Sequence, residues 1–85
     1  MWTVYILECA DKTLYTGITN DIESRIAKHA NGTGAKYTRG RAPHKLVYTE
    51  VKRTKSNALK REAAIKTLSR DEKLKLIMSC TLSLK

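Results

Sequence analysis

Two short apolar runs on either side of a polar turn open the chain, and they constrain its fold more than any other feature. Trp2–Cys9 is rich in β-branched and aromatic residues and reads as a strand. Ala10-Asp11-Lys12 is a turn signal, and Thr13–Ile18 reads as a second strand, so the pair predicts a hairpin. The register follows from burial. Val4, Ile6, Leu14 and Ile18 are the natural core positions, and all carry even numbers. A loop of odd length, such as Asp11-Lys12-Thr13, sets even residues opposite even ones and buries one coherent face. The other face then carries Tyr5, Leu7, Tyr15 and Gly17 together.

Helical and strand signals alternate after the hairpin. Asn20 is placed to cap a first helix, with Glu23 in capping-box position, and Ile22, Ile26 and Ala30 form its apolar stripe. This helix stops near Asn31-Gly32. Asn31–His44 reads as a basic, glycine-containing loop, and Leu46–Val51 as a third strand. A second helix is predicted from about Ser56 to about Leu68. Ser69-Arg70-Asp71-Glu72 is a capping box that starts a third helix, with Leu74, Ile77 and Met78 apolar. The predicted fold is α+β: a ββαβα core with a small three-stranded antiparallel sheet flanked by helices, plus a C-terminal helix. Residues 1–80 are expected to form one domain and 81–85 a loose tail.

With 85 residues there is room for one modest core, so any partner must bind on one compact surface. Lys and Arg number 17 against 8 Asp and Glu, a formal net charge of +9. Such an excess attracts polyanions at long range and points to nucleic acid. Cys9 and Cys80 lie at opposite ends with no metal-finger spacing. The first residues lack the basic start of a signal peptide, and no apolar run approaches a membrane span. A reducing cytoplasm is the expected setting, with no membrane partner.

Several residues stand out from a plain packing pattern. On the second helix Ala58, Leu59, Ile65 and Leu68 span one apolar arc, and Glu62 falls inside it. A carboxylate there needs a partner: a metal ion at a cleft edge, or Lys66 at i, i+4. The residues alone leave both open. Arg25 and His29 stack at i, i+4 on the first helix. They suit a phosphate and a proton transfer, or simply a solvated helix face. Gly17 within a strand suggests a close approach to its backbone. Lys36-Tyr37-Thr38-Arg39-Gly40-Arg41 interleaves cations with an aromatic, which fits phosphate contact and base stacking.

These residues, in this order, resemble a known family. Thr3-Val4-Tyr5 and Tyr15-Thr16-Gly17 resemble the paired tripeptides of the GIY-YIG nuclease superfamily. Arg25 with His29 resembles its R-x-x-x-H/Y helix, and Glu62 in Ala58–Glu62 resembles its metal-binding glutamate. Gly34–Arg41, Pro43 and Leu46-Val47-Tyr48 look like the small stand-alone bacterial branch of UPF0213 type. That branch is related to the nuclease subunit of structure-selective eukaryotic endonucleases. The likeness covers about residues 2–78. It departs at Thr3, where the family name has glycine at a strand position.

The resemblance implies hydrolysis of a phosphodiester by water, leaving a 5′-phosphate and a 3′-hydroxyl. Carried over by position, Tyr5 is the preferred general base, with Tyr15 beside it, and their roles are open to exchange. A phenol titrates near 10 and must be lowered by positive charge to act near neutrality. Arg25 stabilises the transition state, and His29 bonds the phosphate or a tyrosine. Glu62 is the one protein ligand of a single Mg²⁺ or Mn²⁺ ion. Gly17 lets the backbone come close to the site, and Lys28, Lys36, Tyr37, Arg39, Arg41 and Lys45 hold nucleic acid. DNA is favoured over RNA, and repair or processing is the expected setting. The alternative is a non-catalytic nucleic-acid-binding protein that kept the fold. A small module docking to an acidic protein has only the charge in its favour.

Overall fold

In the computed structural model, strand β1 (Trp2–Glu8) pairs antiparallel with β2 (Leu14–Thr19). The structure describes residues 1–31 and 43–83, with 80–83 described by their backbone. The segment carrying Lys36, Tyr37, Arg39 and Arg41 lies outside the described residues. In the hairpin Val4 faces Ile18 and Ile6 faces Thr16, while Tyr5 faces Gly17 and Leu7 faces Tyr15. Even therefore meets even, as burial of one apolar face requires.

The odd loop falls one residue earlier than Asp11–Thr13. Cys9 N–H donates to the Thr13 carbonyl, and Lys12 N–H to the Cys9 carbonyl, both at 2.9 Å, enclosing Ala10-Asp11-Lys12. Lys12 makes the reversal by adopting a left-handed conformation, φ 68°. Asp11 accepts from the Thr13 amide and hydroxyl at 3.2 and 2.6 Å, which fixes Thr13 just past the turn.

Helix α1 (Ile22–Ala30) is capped by Asp21 and not by Asn20. The Asp21 carboxylate accepts from Ser24 N–H at 3.2 Å, and the Thr19 hydroxyl accepts from Asp21 N–H at 3.0 Å. These bonds hold Asp21 in the capping position, one residue beyond the predicted start. The helix ends at Asn31, as expected.

Strand β3 (Lys45–Lys52) pairs antiparallel with the free side of β1, so the sheet order is β2-β1-β3. Ile6 faces Tyr48 but Leu7 faces Leu46, and the register shift leaves Val47 as the extra residue of a bulge. Helix α2 (Lys55–Lys66) starts one residue before Ser56, because the Thr54 side chain accepts from Asn57 N–H. Helix α3 (Arg70–Ser83) opens with the predicted reciprocal cap. Ser69 N–H donates to Glu72 Oε1 at 3.1 Å, and Glu72 N–H to Ser69 Oγ at 3.2 Å. Its backbone stays helical past Thr81, where the sequence pattern ends the domain.

The two faces of the hairpin do different work. The even face joins Val4 and Ile6 to Tyr48, Ala58 and Ile65, with Trp2, Leu14, Ile18, Val47, Leu76 and Ile77 packed around them. Val4, Ile6 and Ile65, fully buried there, each contribute about 1.5–3 kcal/mol relative to exposure. Leu59, predicted on the apolar arc of α2, is 45 % exposed, because Ala58 and Ile65 point inward and Leu59 is turned off their line. On the same face Glu50 gathers Tyr48 Oη, Lys52 Nζ at 2.6 Å and Arg61 Nε at 3.0 Å, tying β3 to α2. Burial would raise the Glu50 carboxyl, but these three donors outweigh it and hold it down at about 2. The odd face carries both tyrosines and, through His29 and Arg25, meets α1.

Candidate active site

The hairpin register places Tyr5 and Tyr15 side by side, with ring centroids 6.3 Å apart. His29, in the last turn of α1, completes a cluster with them, 5.9 Å from the Tyr5 ring and 5.4 Å from that of Tyr15. The Tyr5 hydroxyl lies 2.9 Å from His29 Nε2, and Arg25 Nε donates to it at 3.4 Å. Arg25 also hydrogen-bonds Tyr15. The i, i+4 spacing of Arg25 and His29 thus serves one cluster instead of a solvated face.

Gly17 is the residue that lets the cluster form. A Cβ at this position would stand 2.7 Å from the Tyr5 hydroxyl oxygen, 2.8 Å from Tyr5 Cζ and 3.1 Å from Tyr15 Cε2. The close approach predicted for this glycine is made by the Tyr5 ring, which lies across the backbone of its partner strand.

Electrostatics separates the members of the cluster. Burial pushes the Tyr5 phenol up, and the Arg25 hydrogen bond only partly offsets this, while the charges of Tyr15 and Glu62 add to the rise. His29 is lowered to about 4 by burial first, then by the charges of Arg25 and His44. At neutral pH the inner pair is therefore a neutral phenol bonded to a neutral imidazole. Arg25 is held more firmly charged, chiefly by its bond to Tyr5. Tyr5 and His29 are both fully buried, whereas Tyr15 is only partly so.

Glu62 projects from α2 near enough for its charge to act on Tyr5. Its side chain is 19 % exposed, and it pairs with Lys66 at 3.5 Å. The i, i+4 pair with Lys66 therefore forms, and the Glu62 charge also reaches the Tyr5 phenol. No three metal-ligating side chains gather among the described residues. A lone, part-exposed carboxylate suits an ion that keeps most of its waters, as Mg²⁺ does.

The GIY-YIG catalytic domain pattern matches residues 1–75. The chain belongs to the GIY-YIG family. It is 62 % identical over 74 residues to a UPF0213 protein of Staphylococcus saprophyticus, covering 87 % of this chain and 90 % of that one. It is 59 % identical over 76 residues to a UPF0213 protein of Clostridium perfringens, covering 89 % and 82 %. The solution NMR structure of a UPF0213 protein from Bacillus halodurans superposes with a TM-score of 0.60 at 51 % identity, over 92 % of this chain and 84 % of that one. A second NMR structure, of a protein from E. faecalis, gives 0.65 at 41 % identity, over 94 % and 85 %.

The tripeptides that name the GIY-YIG family are here Thr3-Val4-Tyr5 and Tyr15-Thr16-Gly17. Their antiparallel pairing sets Thr3 opposite Thr19 and Tyr5 opposite Gly17. Thr3 takes an ordinary strand position, so the departure from the family glycine leaves the sheet intact. Lys28, near the end of α1, and Lys45, at the start of β3, are exposed. His44 was not legible as a site residue. Its ring stands 6.0 Å from that of His29, yet it precedes a strand with no helical spacing to mark it.

Proposed function

We propose that this GIY-YIG protein is a metal-dependent endonuclease, with DNA as its substrate and repair or processing as its setting. The observation that carries the reading is the convergence of Tyr5, Tyr15, Arg25 and His29 into one hydrogen-bonded cluster that feels the charge of Glu62. A protein that only binds a polyanion gains nothing from a carboxylate beside its aromatic site.

Exposure divides the work of the tyrosines. Tyr5 is sealed between His29, Arg25 and the Gly17 backbone, and its phenol is pushed up. Tyr15 is the one that reaches the surface. In this reading the roles first given to the two are exchanged, because a sealed hydroxyl cannot meet the attacking water. Tyr15 takes the proton from water as the water oxygen bonds phosphorus and the 3′ oxygen departs. Arg25, fixed by Tyr5, faces the charge that builds on the phosphate. His29 holds the Tyr5 hydroxyl in place. Glu62 would hold one Mg²⁺ or Mn²⁺ ion, which supplies Lewis-acid stabilisation of the leaving oxygen when bound. Lys28 and Lys45, with the basic residues Lys36, Arg39 and Arg41 and the aromatic Tyr37, would hold the nucleic-acid backbone.

The test is cleavage of labelled DNA and RNA substrates with Mg²⁺, with Mn²⁺ and with EDTA, beside Glu62→Ala. Metal-dependent cutting that disappears in the variant supports the reading. Equal binding by both proteins with no cutting favours the non-catalytic alternative.

A further inference from the structure

Tyr15 also lines a cleft of about 450 Å³ together with Leu14, Thr16, Lys66 and Lys73. A smaller hollow of about 190 Å³ continues it, sharing Leu14 and Lys73 and ending at Thr13 and Arg70. The two run along β2, which is an edge strand of the sheet, and over the junction between α2 and α3. Among the described residues three cations line this path, Lys66, Lys73 and Arg70, and no Asp or Glu does.

The polar groups along the path keep capacity for a ligand. The Lys73 ammonium makes no ion pair among the described residues. Arg70 donates one bond, from a terminal nitrogen to the Lys12 carbonyl at 2.7 Å, which leaves most of its five donors. The Thr16 hydroxyl is buried, the residue only 3 % exposed, and it has no hydrogen-bond partner among the described residues. A buried hydroxyl without a partner is costly, and this one belongs to a residue that walls the cleft.

We propose that this cleft is the path of one nucleic-acid strand, leaving the scissile phosphate at Tyr15 and running past Lys66 and Lys73 to Arg70. Its backbone phosphates meet the three cations in turn. This rests on the nuclease reading for the position of the scissile phosphate, and it adds Lys66, Lys73 and Arg70 to the residues which that reading uses. Lys66 links the cleft to the site: it pairs with Glu62 and also walls the cleft, so a phosphate arriving there exchanges one anionic partner of Lys66 for another.

The experiment is equilibrium binding of a fluorescent single-stranded DNA oligonucleotide to the full chain in EDTA, over a series of salt concentrations. Wild type is compared with Lys73→Gln, Lys73→Arg and Lys75→Gln; the last removes an equal charge from α3 outside the cleft. Lys73→Gln should weaken binding several-fold and flatten the slope of log affinity against log salt by about 0.7. Lys73→Arg should restore both, and Lys75→Gln should stay near wild type. Equal losses in Lys73→Gln and Lys75→Gln overturn the path, as does absence of wild-type binding at low salt. Cleavage is scored separately with Mg²⁺. A wild type that binds through Lys73 but cuts nothing keeps the path and loses the nuclease; one that cuts but ignores Lys73 does the reverse.

Discussion

The Tyr5 hydroxyl and His29 Nε2 lie 2.9 Å apart, and neither side chain reaches solvent. This bond joins the central strand to α1 at the floor of the site. Tyr5→Phe removes the hydroxyl, keeps the ring against Gly17, and leaves the imidazole nitrogen buried without its partner. The expected cost is about 1–3 kcal/mol in stability, read as a lower denaturant midpoint with an unchanged slope.

The same pair sets a pH dependence of folding. The unfolded imidazole titrates near 6.5 and the folded one at about 4, so between these values the unfolded chain holds more protons. Stability is full above pH 6.5 and falls as the pH drops through that window, by about 3 kcal/mol in all. His29→Gln should flatten the fall, as followed by urea midpoints between pH 7 and 4. The Glu50 carboxyl, lowered from 4.5 to about 2, adds its own loss as the pH falls through about 4.5 and below. Persistence of the wild-type pH dependence in His29→Gln would remove His29 as its source.

Gly17→Ala places a methyl group 2.7 Å from the Tyr5 oxygen. The Tyr5 ring must shift, and its bonds to His29 and Arg25 go with it. Overpacking of this kind costs about 1–3 kcal/mol. A lowered Tm together with changed aromatic-proton NMR shifts for Tyr5 and Tyr15 is the expected result. An alanine variant with unaltered shifts would show that the contact is not restrictive.

Much of this arrangement was legible because strand geometry is strict. Once Val4, Ile6, Leu14 and Ile18 had to share a face, the two tyrosines and Gly17 had to share the other. Spacing on α1 likewise paired Arg25 with His29. Local competition decided what spacing could not. Asp21 displaced Asn20 as the cap because Thr19 and Ser24 both bond to it, and the three-residue loop closes at the Ala10–Lys12 turn signal, with Lys12 left-handed. Leu59 lies off the core because an apolar residue at the edge of a helical stripe is as easily left in water. The division between a sealed Tyr5 and an open Tyr15 depends on α1 packing over one of them, which no pattern within the hairpin encodes.

That division predicts unequal effects on catalysis. Tyr15→Phe should lower kcat by about 10²–10⁴-fold, the range for removing a general base. Tyr5→Phe should lower it less while costing more stability. The wild-type rate should show no inflection at pH 6–7, since His29 is already neutral there. Single-turnover rates of both variants from pH 5 to 9 would decide this; a greater kcat loss in Tyr5→Phe would return the base to Tyr5.

The most direct measurement remains cleavage of a labelled DNA panel, flaps and nicks included, by wild type and Glu62→Ala with Mg²⁺ or EDTA. Among the described residues Glu62 is the carboxylate whose charge acts on the Tyr5 phenol, so its removal should abolish metal-dependent cutting while leaving DNA binding in EDTA within a few-fold of wild type. Absence of cutting by wild type at high enzyme concentration, or equal cutting by the variant, would contradict a metal-dependent nuclease centred on Glu62.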